Sequence, residues 1–220
     1  MAKTNLGLVE YARKQVGRPY WYGTFGNIAS PVLYSAKKKQ YSAYYTSWSD
    51  FPEQFGQRVH DCIGLVKGYL WSDTAASVPK YNARQDVSAN DMLSLCKEKG
   101  VISSMPDIPG VLVFMKGHVG IYAGKGEVIE ARGHEYGVVV TKLSERPWKN
   151  WGKCPFIEYD QKTTITVKKG TWNVRSGPGV SFKSIAVVKG GNVITYSKIA
   201  ENGWRYLPVY KGWISPKGID

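Results

Sequence analysis

The hydrophobic pattern of this chain changes from a helical period to a strand-like period near residue 100. Leu8, Ala12 and Val16 are spaced four residues apart, which predicts a helix over residues 5–16, and residues 87–99 show a second helical pattern. Four strand-like runs follow, at residues 111–115, 118–123, 127–131 and 138–143, and Gly124-Lys125-Gly126 favours a hairpin between two of them. The first 160 residues are therefore predicted to be α+β, with helices packed on an antiparallel sheet.

The composition changes again after residue 160. Residues 159–163 are predicted to form a short linker, and the short apolar runs and glycine-rich turns beyond it are typical of an all-β domain. With 220 residues, of which 43% are hydrophobic, the chain can bury one substantial core and a smaller second one. We therefore predict two domains, at residues 1–160 and 163–220.

Asp61, Cys62 and His118 form the pattern with the most chemical content. Apolar residues recur at helical spacing after Cys62, and Asp61 is a favourable N-cap, so Cys62 is predicted in the first turn of a helix, where the helix dipole favours a thiolate. His118 begins a strand-like run and is a candidate base for the thiol proton. Taken singly, such a cysteine is more often a small buried hydrophobe and such a histidine a structural residue.

The flanking residues resemble three ordered motifs of the NlpC-type papain-like cysteine peptidases. Residues 61–66, DCIGLV, are similar to the family's Asp-Cys-Ser-Gly-Leu-Val box, and residues 117–122, GHVGIY, resemble its histidine strand. Residues 17–23, GRPYWYG, resemble its Pro-Tyr-x-x-Gly segment. The resemblance implies a papain-like fold in which Cys62 attacks a carbonyl carbon and His118 serves first as general base and then as general acid.

The third residue of the family triad has two candidates in this sequence. Residues 128–131, VIEA, align with an apolar-apolar-His-Ala pattern, which implies that Glu130 orients His118 in place of the usual His, Asn or Gln. A carboxylate can accept the second imidazole N–H and stabilise the imidazolium. His134 is the alternative, and its surroundings predict an exposed loop.

The resemblance also implies two residues near the substrate. The Tyr20 hydroxyl is a candidate oxyanion donor beside the backbone N–H of Cys62. In relatives that prefer a free amine, the aspartate and the serine of the box help to hold the substrate, but that serine is Ile63 here. Asp61 is therefore either a substrate-binding residue or only an N-cap.

Residues 163–220 resemble bacterial SH3-type domains. The run Asn173–Gly179, NVRSGPG, is similar to their signature. The resemblance implies a small all-β SH3-like barrel that binds the cell wall, with a non-binding appendage as the alternative. Residues 161–220 carry ten Lys or Arg and two acidic residues, a net charge of +8 out of the +13 of the chain. Such a charge attracts polyanions, so Gram-positive peptidoglycan and its anionic wall polymers are the predicted partners. No recognised motif supports a nucleic-acid partner.

Together the two resemblances imply a peptidoglycan hydrolase that cuts stem peptides at the γ-D-glutamyl bond to the diamino acid. No run of 18 apolar residues and no secretory signal is recognisable, so we expect a protein without a transmembrane segment that is made in the cytoplasm. It would reach the cell wall by release or by another export route, as a phage or prophage endolysin does. Action beside a lytic transglycosylase of a mobile element is the second context.

Three alternatives remain open at the level of sequence. The same thiol chemistry could serve an amidase or an acyltransferase on another acyl substrate, and the chain could be an inactive wall-binding adaptor.

Three cysteines do not make a disulfide framework. His60, Cys62, His118 and His134 lack the spacing of a metal site, and neither a metal nor a cofactor is predicted.

Residues 27–57 are rich in aromatic residues and also contain Lys37-Lys38-Lys39. We expect this segment to flank the cleft and most of its aromatic rings to fill a small local core. The second possibility is an aromatic wall that stacks against a sugar. The rings are Tyr34, Tyr41, Tyr44, Tyr45, Trp48, Phe51 and Phe55.

Overall fold

The computed structural model describes residues 2–159 and 163–219, and the chain divides into two compact units, Met1–Tyr159 and Asp160–Asp220. The linker predicted at residues 159–163 falls mainly on residues 160–162, which lie outside the described residues. Within the described ranges, no helix combines the length and the apolar character that a membrane crossing requires.

Five α-helices lie among the described residues of the first unit. Their bounds are α1 Asn5–Gln15, α2 Pro31–Gln40, α3 Ser42–Tyr45, α4 Cys62–Trp71 and α5 Ala89–Leu95. Side-chain oxygens of Thr4, Ser30 and Asp61 cap the first turns of α1, α2 and α4 by accepting backbone N–H groups. The helix predicted at residues 5–16 is confirmed, and α4 begins directly after the predicted cap.

A six-stranded antiparallel sheet packs against α1, α4 and α5, with the strand order β3-β8-β4-β5-β6-β7. Its strands are β3 Lys99–Val101, β4 Leu112–Met115, β5 His118–Gly124, β6 Glu127–Ala131, β7 Val138–Lys142 and β8 Asn150–Gly152, while β1 Phe25–Ile28 and β2 Arg58–His60 form a separate pair. Between β5 and β6, Lys125 and Gly126 have φ angles of 56° and 75°, as a type I′ turn requires. The four predicted strands and their hairpin are therefore confirmed.

The helix predicted over residues 87–99 was wrong in its length, because α5 covers only Ala89–Leu95. Ser88 and Asp91 form a capping box at its start. Cys96 is already extended, with a ψ of 122°, and Lys99–Val101 then pair with β8 at the edge of the sheet. Backbone pairing with a distant strand ends the helix early, and a local hydrophobic pattern does not report such pairing.

The main core lies between the sheet and the helices α1 and α4. Leu8 and Ala12 of α1, Val66 of α4 and Ile121 of β5 are buried in one cluster and are at most 1% exposed. Burying side chains of this kind stabilises the fold by about 2 kcal/mol each for the larger ones. The apolar face of α4 therefore holds its first residue, Cys62, at a defined place above the sheet.

The second unit consists mainly of β-strands around a small core. The strands are β9 Thr163–Thr166, β10 Thr171–Arg175, β11 Ser184–Lys189, β12 Val193–Tyr196, β13 Lys198–Ile199, β14 Arg205–Leu207 and β15 Gly212–Ile214. Val167, Val174, Leu207 and Ile214 are buried in this core. Within residues 163–219 the strands form a five-stranded sheet and a two-stranded sheet, and no closed barrel is detected.

Gly64 allows α4 to lie against the chain that precedes β1. A Cβ atom at this position would lie 1.8 Å from the carbonyl oxygen of Thr24, which is far inside van der Waals contact. The close approach therefore requires glycine. Gly179 in the second unit offers a comparison, because a Cβ there would meet its nearest neighbour at an ordinary 3.4 Å.

We expect Gly64→Ala to destabilise the first unit by about 3 kcal/mol, because the added methyl group must push α4 away from the Thr24 backbone. Thermal unfolding followed by circular dichroism should show a loss of roughly 10 °C. Gly179→Ala is the matched control and should unfold within a few degrees of the wild type. Equal stability of Gly64→Ala and the wild type would contradict the close packing described for α4.

Candidate active site

The thiol of Cys62 lies beside the start of β5. Cys62 is half-buried, and its Sγ atom is 3.9 Å from the carbonyl oxygen of Gly117. The backbone N–H of Val119 lowers the pKa of this thiol. His118 follows Gly117 in the chain, so the fold brings the thiol to the start of the strand that carries the imidazole.

His118 is held by Glu130 on the neighbouring strand β6. The His118 Nε2 atom lies 2.7 Å from Oε2 of Glu130, which is completely buried. Glu130 also accepts a hydrogen bond from the Thr141 hydroxyl at 2.8 Å and two from Arg146, at 3.0 and 3.2 Å, one on each oxygen. The Trp148 ring stacks on the imidazole, with 5.6 Å between ring centroids. The imidazole is therefore fixed both at one nitrogen and at one face.

The carboxyl group of Glu130 remains ionised at neutral pH. Burial raises its pKa, but the hydrogen bonds from His118, Thr141 and Arg146 outweigh burial and hold the pKa below the ordinary 4.5. An ionised carboxylate can accept a hydrogen bond from the Nε2–H of His118 and stabilise an imidazolium. Because Nε2 is engaged by Glu130, Nδ1 is the ring nitrogen left to exchange a proton with a thiol.

The helix start lowers the pKa of the Cys62 thiol, as expected, but burial opposes this effect more strongly. Burial, assisted by the negative charge of Asp61, raises the pKa of the Cys62 thiol to about 12. Backbone N–H groups of Ile63, Val119 and Cys62 itself lower the pKa but do not outweigh burial. With its pKa raised, the Cys62 thiol keeps its proton unless a base removes it.

Both carboxylate oxygens of Asp61 accept hydrogen bonds from backbone N–H groups. One of its carboxylate oxygens accepts the N–H of Gly64 at 2.5 Å, and the other accepts the N–H of Gly23 at 2.9 Å. Asp61 thus caps α4 and ties it to the Tyr20 segment. Of the two roles expected for Asp61, the N-cap role is present in the structure.

Tyr20 lies close to the thiol. Its backbone bridges to His60, and its side chain packs on the main core beside Cys62. Burial, with the nearby Cys62 and Asp61, raises the pKa of Tyr20 well above 10, so its hydroxyl keeps its proton. A hydroxyl that keeps its proton can donate a hydrogen bond to an oxyanion.

The side chain of His134 is largely covered, and the prediction that it is exposed was wrong. Its side chain is only 9% exposed, and its Nε2 atom lies 2.6 Å from Oδ1 of Asp50. Trp48 stacks on the ring at 4.6 Å between centroids, and Phe51 covers it at 4.7 Å. The structure therefore pairs His134 with the aromatic segment, and it pairs Glu130 with His118. The residues that cover the His134 side chain lie some 80 positions upstream, so the sequence around His134 cannot reveal them.

Most aromatic rings of residues 27–57 do fill a small local core, as expected. Trp21 is completely buried at its centre and packs edge-to-face on Tyr34, Tyr45 and Phe51. Tyr41 and Phe55 pack on the same cluster. Tyr44 and Trp48 are the exceptions, since they are 52% and 40% exposed.

Two cavities meet at Tyr22. The first, of about 580 Å³, is lined by Cys62 and by the charged side chains of Lys37, Asp61, Lys67 and Asp86. The second, of about 510 Å³, is mainly apolar and is lined by aromatic rings, including those of Tyr20, Tyr22, Tyr44, Trp48 and Tyr136. A polar cavity at the thiol and an aromatic one beside it are suited to a ligand that carries both polar and apolar groups.

Sequence reasoning missed Thr141, Arg146 and Trp148, the residues that hold Glu130 and His118 in place. None belongs to a motif, and each follows Glu130 by more than ten positions. One signal was available, because a carboxylate expected on a buried strand needs a cationic partner and Arg146 follows the next strand. Which cation would reach it depends on the path of the chain after β7.

Among the described residues, no group of three His, Cys, Asp or Glu side chains is placed to hold a metal ion. His60, one of the residues weighed as a ligand, instead lies with its Nε2 atom 2.9 Å from the Tyr11 hydroxyl inside the core. Burial, together with the charges of Arg58 and Arg18, lowers the pKa of His60 to about 3, so its ring is neutral.

We expect Glu130→Gln to lose about 3 kcal/mol of stability at pH 7, because Arg146 then lacks its buried anionic partner. The lowered pKa of Glu130 means that the carboxylate stabilises the wild type above pH 4.5 and that this contribution fades as the pH falls further. Melting curves from pH 7 to pH 3 should therefore show that the difference in melting temperature between the wild type and Glu130→Gln becomes smaller as the pH falls. A difference of constant size across this range would contradict an ionised Glu130.

Comparisons with known proteins identify the first unit. The model of the NlpC/P60 family matches residues 38–155, and no curated protein matches the chain. Among solved structures, the NlpC/p60 domain of the peptidoglycan hydrolase SagA is 17% identical, with 68% of this chain and 98% of that chain covered and a TM-score of 0.39.

Two further solved structures are similar. The peptidoglycan hydrolase RipB from Mycobacterium tuberculosis is 20% identical, with 70% of this chain and 67% of that chain covered and a TM-score of 0.39. The protein Ly7917 is 19% identical over 96% of this chain and 92% of its own, with a TM-score of 0.34. Because the family model matches more than half of the chain, the protein belongs to the NlpC/P60 family of peptidoglycan hydrolases and is a cysteine endopeptidase.

Proposed function

We propose that this endopeptidase hydrolyses the stem peptides of peptidoglycan at the γ-D-glutamyl bond to the diamino acid. Cys62 is the nucleophile, His118 is the base, and Glu130 orients His118. The observation that supports these roles most directly is the 2.7 Å contact between His118 and a fully buried Glu130, next to the thiol of Cys62. The third-residue role is assigned to Glu130 rather than to His134, which is engaged by Asp50.

The reaction begins with a neutral pair, because the pKa of Cys62 is raised to about 12. Nδ1 of His118 takes the thiol proton while Sγ attacks the carbonyl carbon, and the negative charge of Glu130 stabilises the resulting imidazolium. The Cys62 backbone N–H and the Tyr20 hydroxyl donate hydrogen bonds to the oxyanion. His118 then gives its proton to the leaving amine as the C–N bond breaks and a thioester remains.

The thioester is hydrolysed by the same groups in reverse order. His118 takes a proton from a water molecule, the hydroxide attacks the thioester carbonyl, and the proton returns to the sulfur as the C–S bond breaks. The new carboxylic acid leaves, and the thiol is restored. Because the resting state is an uncharged thiol and imidazole, substrate binding does not have to displace an ion pair.

We further propose that residues 163–220 form an SH3-type module that binds the wall of Gram-positive bacteria, in an endolysin-like protein. Nine lysines and arginines lie among residues 163–219, against Glu201 as the one acidic residue in that range. This excess of positive charge supports attraction to anionic wall polymers. The supporting resemblance is the run NVRSGPG at Asn173–Gly179, which spans the end of β10 and the turn after it.

Cys62→Ala should abolish the release of fragments from purified Gram-positive peptidoglycan, because no other group can form the thioester. Mass spectrometry of the soluble products should show wild-type fragments that end at D-glutamate or D-isoglutamine. Cys154→Ala is the control, since Cys154 is buried in the core, and it should release the same fragments as the wild type. Equal release by Cys62→Ala would rule out the proposed nucleophile.

Removal of residues 163–220 should weaken binding to isolated cell walls more than tenfold, while cleavage of a short soluble stem peptide changes by less than about threefold. Sedimentation of protein with cell walls measures the first quantity, and peptide turnover measures the second. The inactive Cys62→Ala full-length protein is the binding control. Unchanged wall binding by the shortened chain would contradict the role proposed for the second unit.

A further inference from the structure

Lys37 lines the cavity that contains the thiol of Cys62. It lies in the last turn of α2, within the run Lys37-Lys38-Lys39. Lys37 is half-buried, whereas Lys38 and Lys39 are exposed. One lysine of the three is therefore directed to the cavity, and its two neighbours provide internal comparisons.

The two acidic side chains that line this cavity already have partners. Asp61 accepts the backbone N–H groups of Gly23 and Gly64. Asp86 accepts hydrogen bonds from the Lys67 ammonium at 2.6 Å and from the Tyr81 hydroxyl at 2.9 Å. Each carboxylate near the thiol is thus engaged by groups other than Lys37.

Lys37 has no carboxylate within 4 Å among the described residues. Its ammonium donates a hydrogen bond to Oε1 of Gln40 at 3.3 Å and lies 5.4 Å from the centroid of the Tyr41 ring. Burial lowers the pKa of Lys37, and the charges of Asp61 and Asp86 counteract this effect. A partly desolvated cation with only a long hydrogen bond to a neutral amide is stabilised when a carboxylate binds to it.

We propose that Lys37 forms a carboxylate-binding subsite of the cleft, which selects stem peptides that carry a free carboxylate next to the scissile bond. The inference rests on the proposed function, since it concerns the substrate of Cys62. Two groups of a stem peptide supply this chemistry: the α-carboxylate of the γ-linked D-glutamate and the side-chain carboxylate of a diaminopimelate in the third position. In D-isoglutamine the first is an amide, and in L-lysine the second is absent.

The cavity is large enough for this ligand. Its volume of about 580 Å³ lies in the range of ordinary ligand pockets and exceeds the space of one amino-acid residue. Ile63, which also lines this cavity, offers a peptide no hydrogen-bonding side chain. Lys37 on α2 recognises a carboxylate of the peptide, so this specificity comes from a helix other than α4, which carries Cys62.

Four soluble peptides test the subsite, with D-glutamate or D-isoglutamine in the second position and diaminopimelate or lysine in the third. The wild type should cleave the peptide with the recognised carboxylate with a kcat/KM about tenfold above that of its uncharged counterpart. Lys37→Gln should lose this preference through a higher KM for the carboxylate peptide. Lys37→Arg should keep it, and Lys38→Gln, the matched control, should behave as the wild type.

The position at which the preference appears identifies the carboxylate. Because α2 has no buried residues, Lys37→Gln should fold normally, and an unchanged melting curve verifies this. Equal cleavage of all four peptides by the wild type, or a preference that Lys37→Gln retains, would overturn the subsite and leave the endopeptidase proposal intact. Failure of the wild type to cleave any of the four would overturn both.

Discussion

The buried carboxylate of Glu130 is the constraint on which the rest of the site depends. A fully buried negative charge is tolerated only with close partners, and His118, Thr141 and Arg146 supply hydrogen bonds to both of its oxygens. Those partners lie on β5, on β7 and on the segment after β7. The Glu130 side chain therefore fixes the positions of these three segments relative to one another. The orientation of the imidazole follows from this arrangement, which places its Nε2 atom against Glu130.

Asp61 acts in a similar way at the start of α4. It joins the Tyr20 segment to the helix through two backbone N–H groups, and it places Cys62 in the first turn. The same carboxylate, together with burial, raises the pKa of the thiol to about 12. A residue that builds the site thus also favours the protonated form of the Cys62 thiol.

The segment at residues 27–57 adds to this chemistry without supplying a catalytic group. Its rings build a core around Trp21, and that core covers the side chain of His134 and leaves Trp48 at the edge of an aromatic cavity. On the other side of Tyr22, the helix α2 brings Lys37 to the cavity of the thiol. The groups suited to selecting a substrate therefore lie on a segment different from those suited to cutting it.

Local patterns were sufficient to predict α1, the start of α4, the strands β4 to β7 and the turn at Lys125 and Gly126, because these depend on residues a few positions apart. The motif around Cys62 and His118 predicted a thiol and its base, and these roles stay a prediction. Local patterns failed for the end of α5, the covered side chain of His134 and the pKa of Cys62. Each of these depends on contacts with distant segments: pairing with β8, cover by Trp48, and desolvation in a packed cleft.

By itself, the sequence determined which groups are available: one thiol after an N-cap, one imidazole on a strand, one carboxylate on the next strand, and a basic second unit. Tertiary structure decided which of them meet and in what state of ionisation. Arg146 stabilises the charge of Glu130, burial suppresses that of Cys62, and Lys37 faces the cavity while its neighbours face solvent. The physical reason is that charge and hydrogen bonding depend on distance and solvent exclusion, which only the folded chain defines.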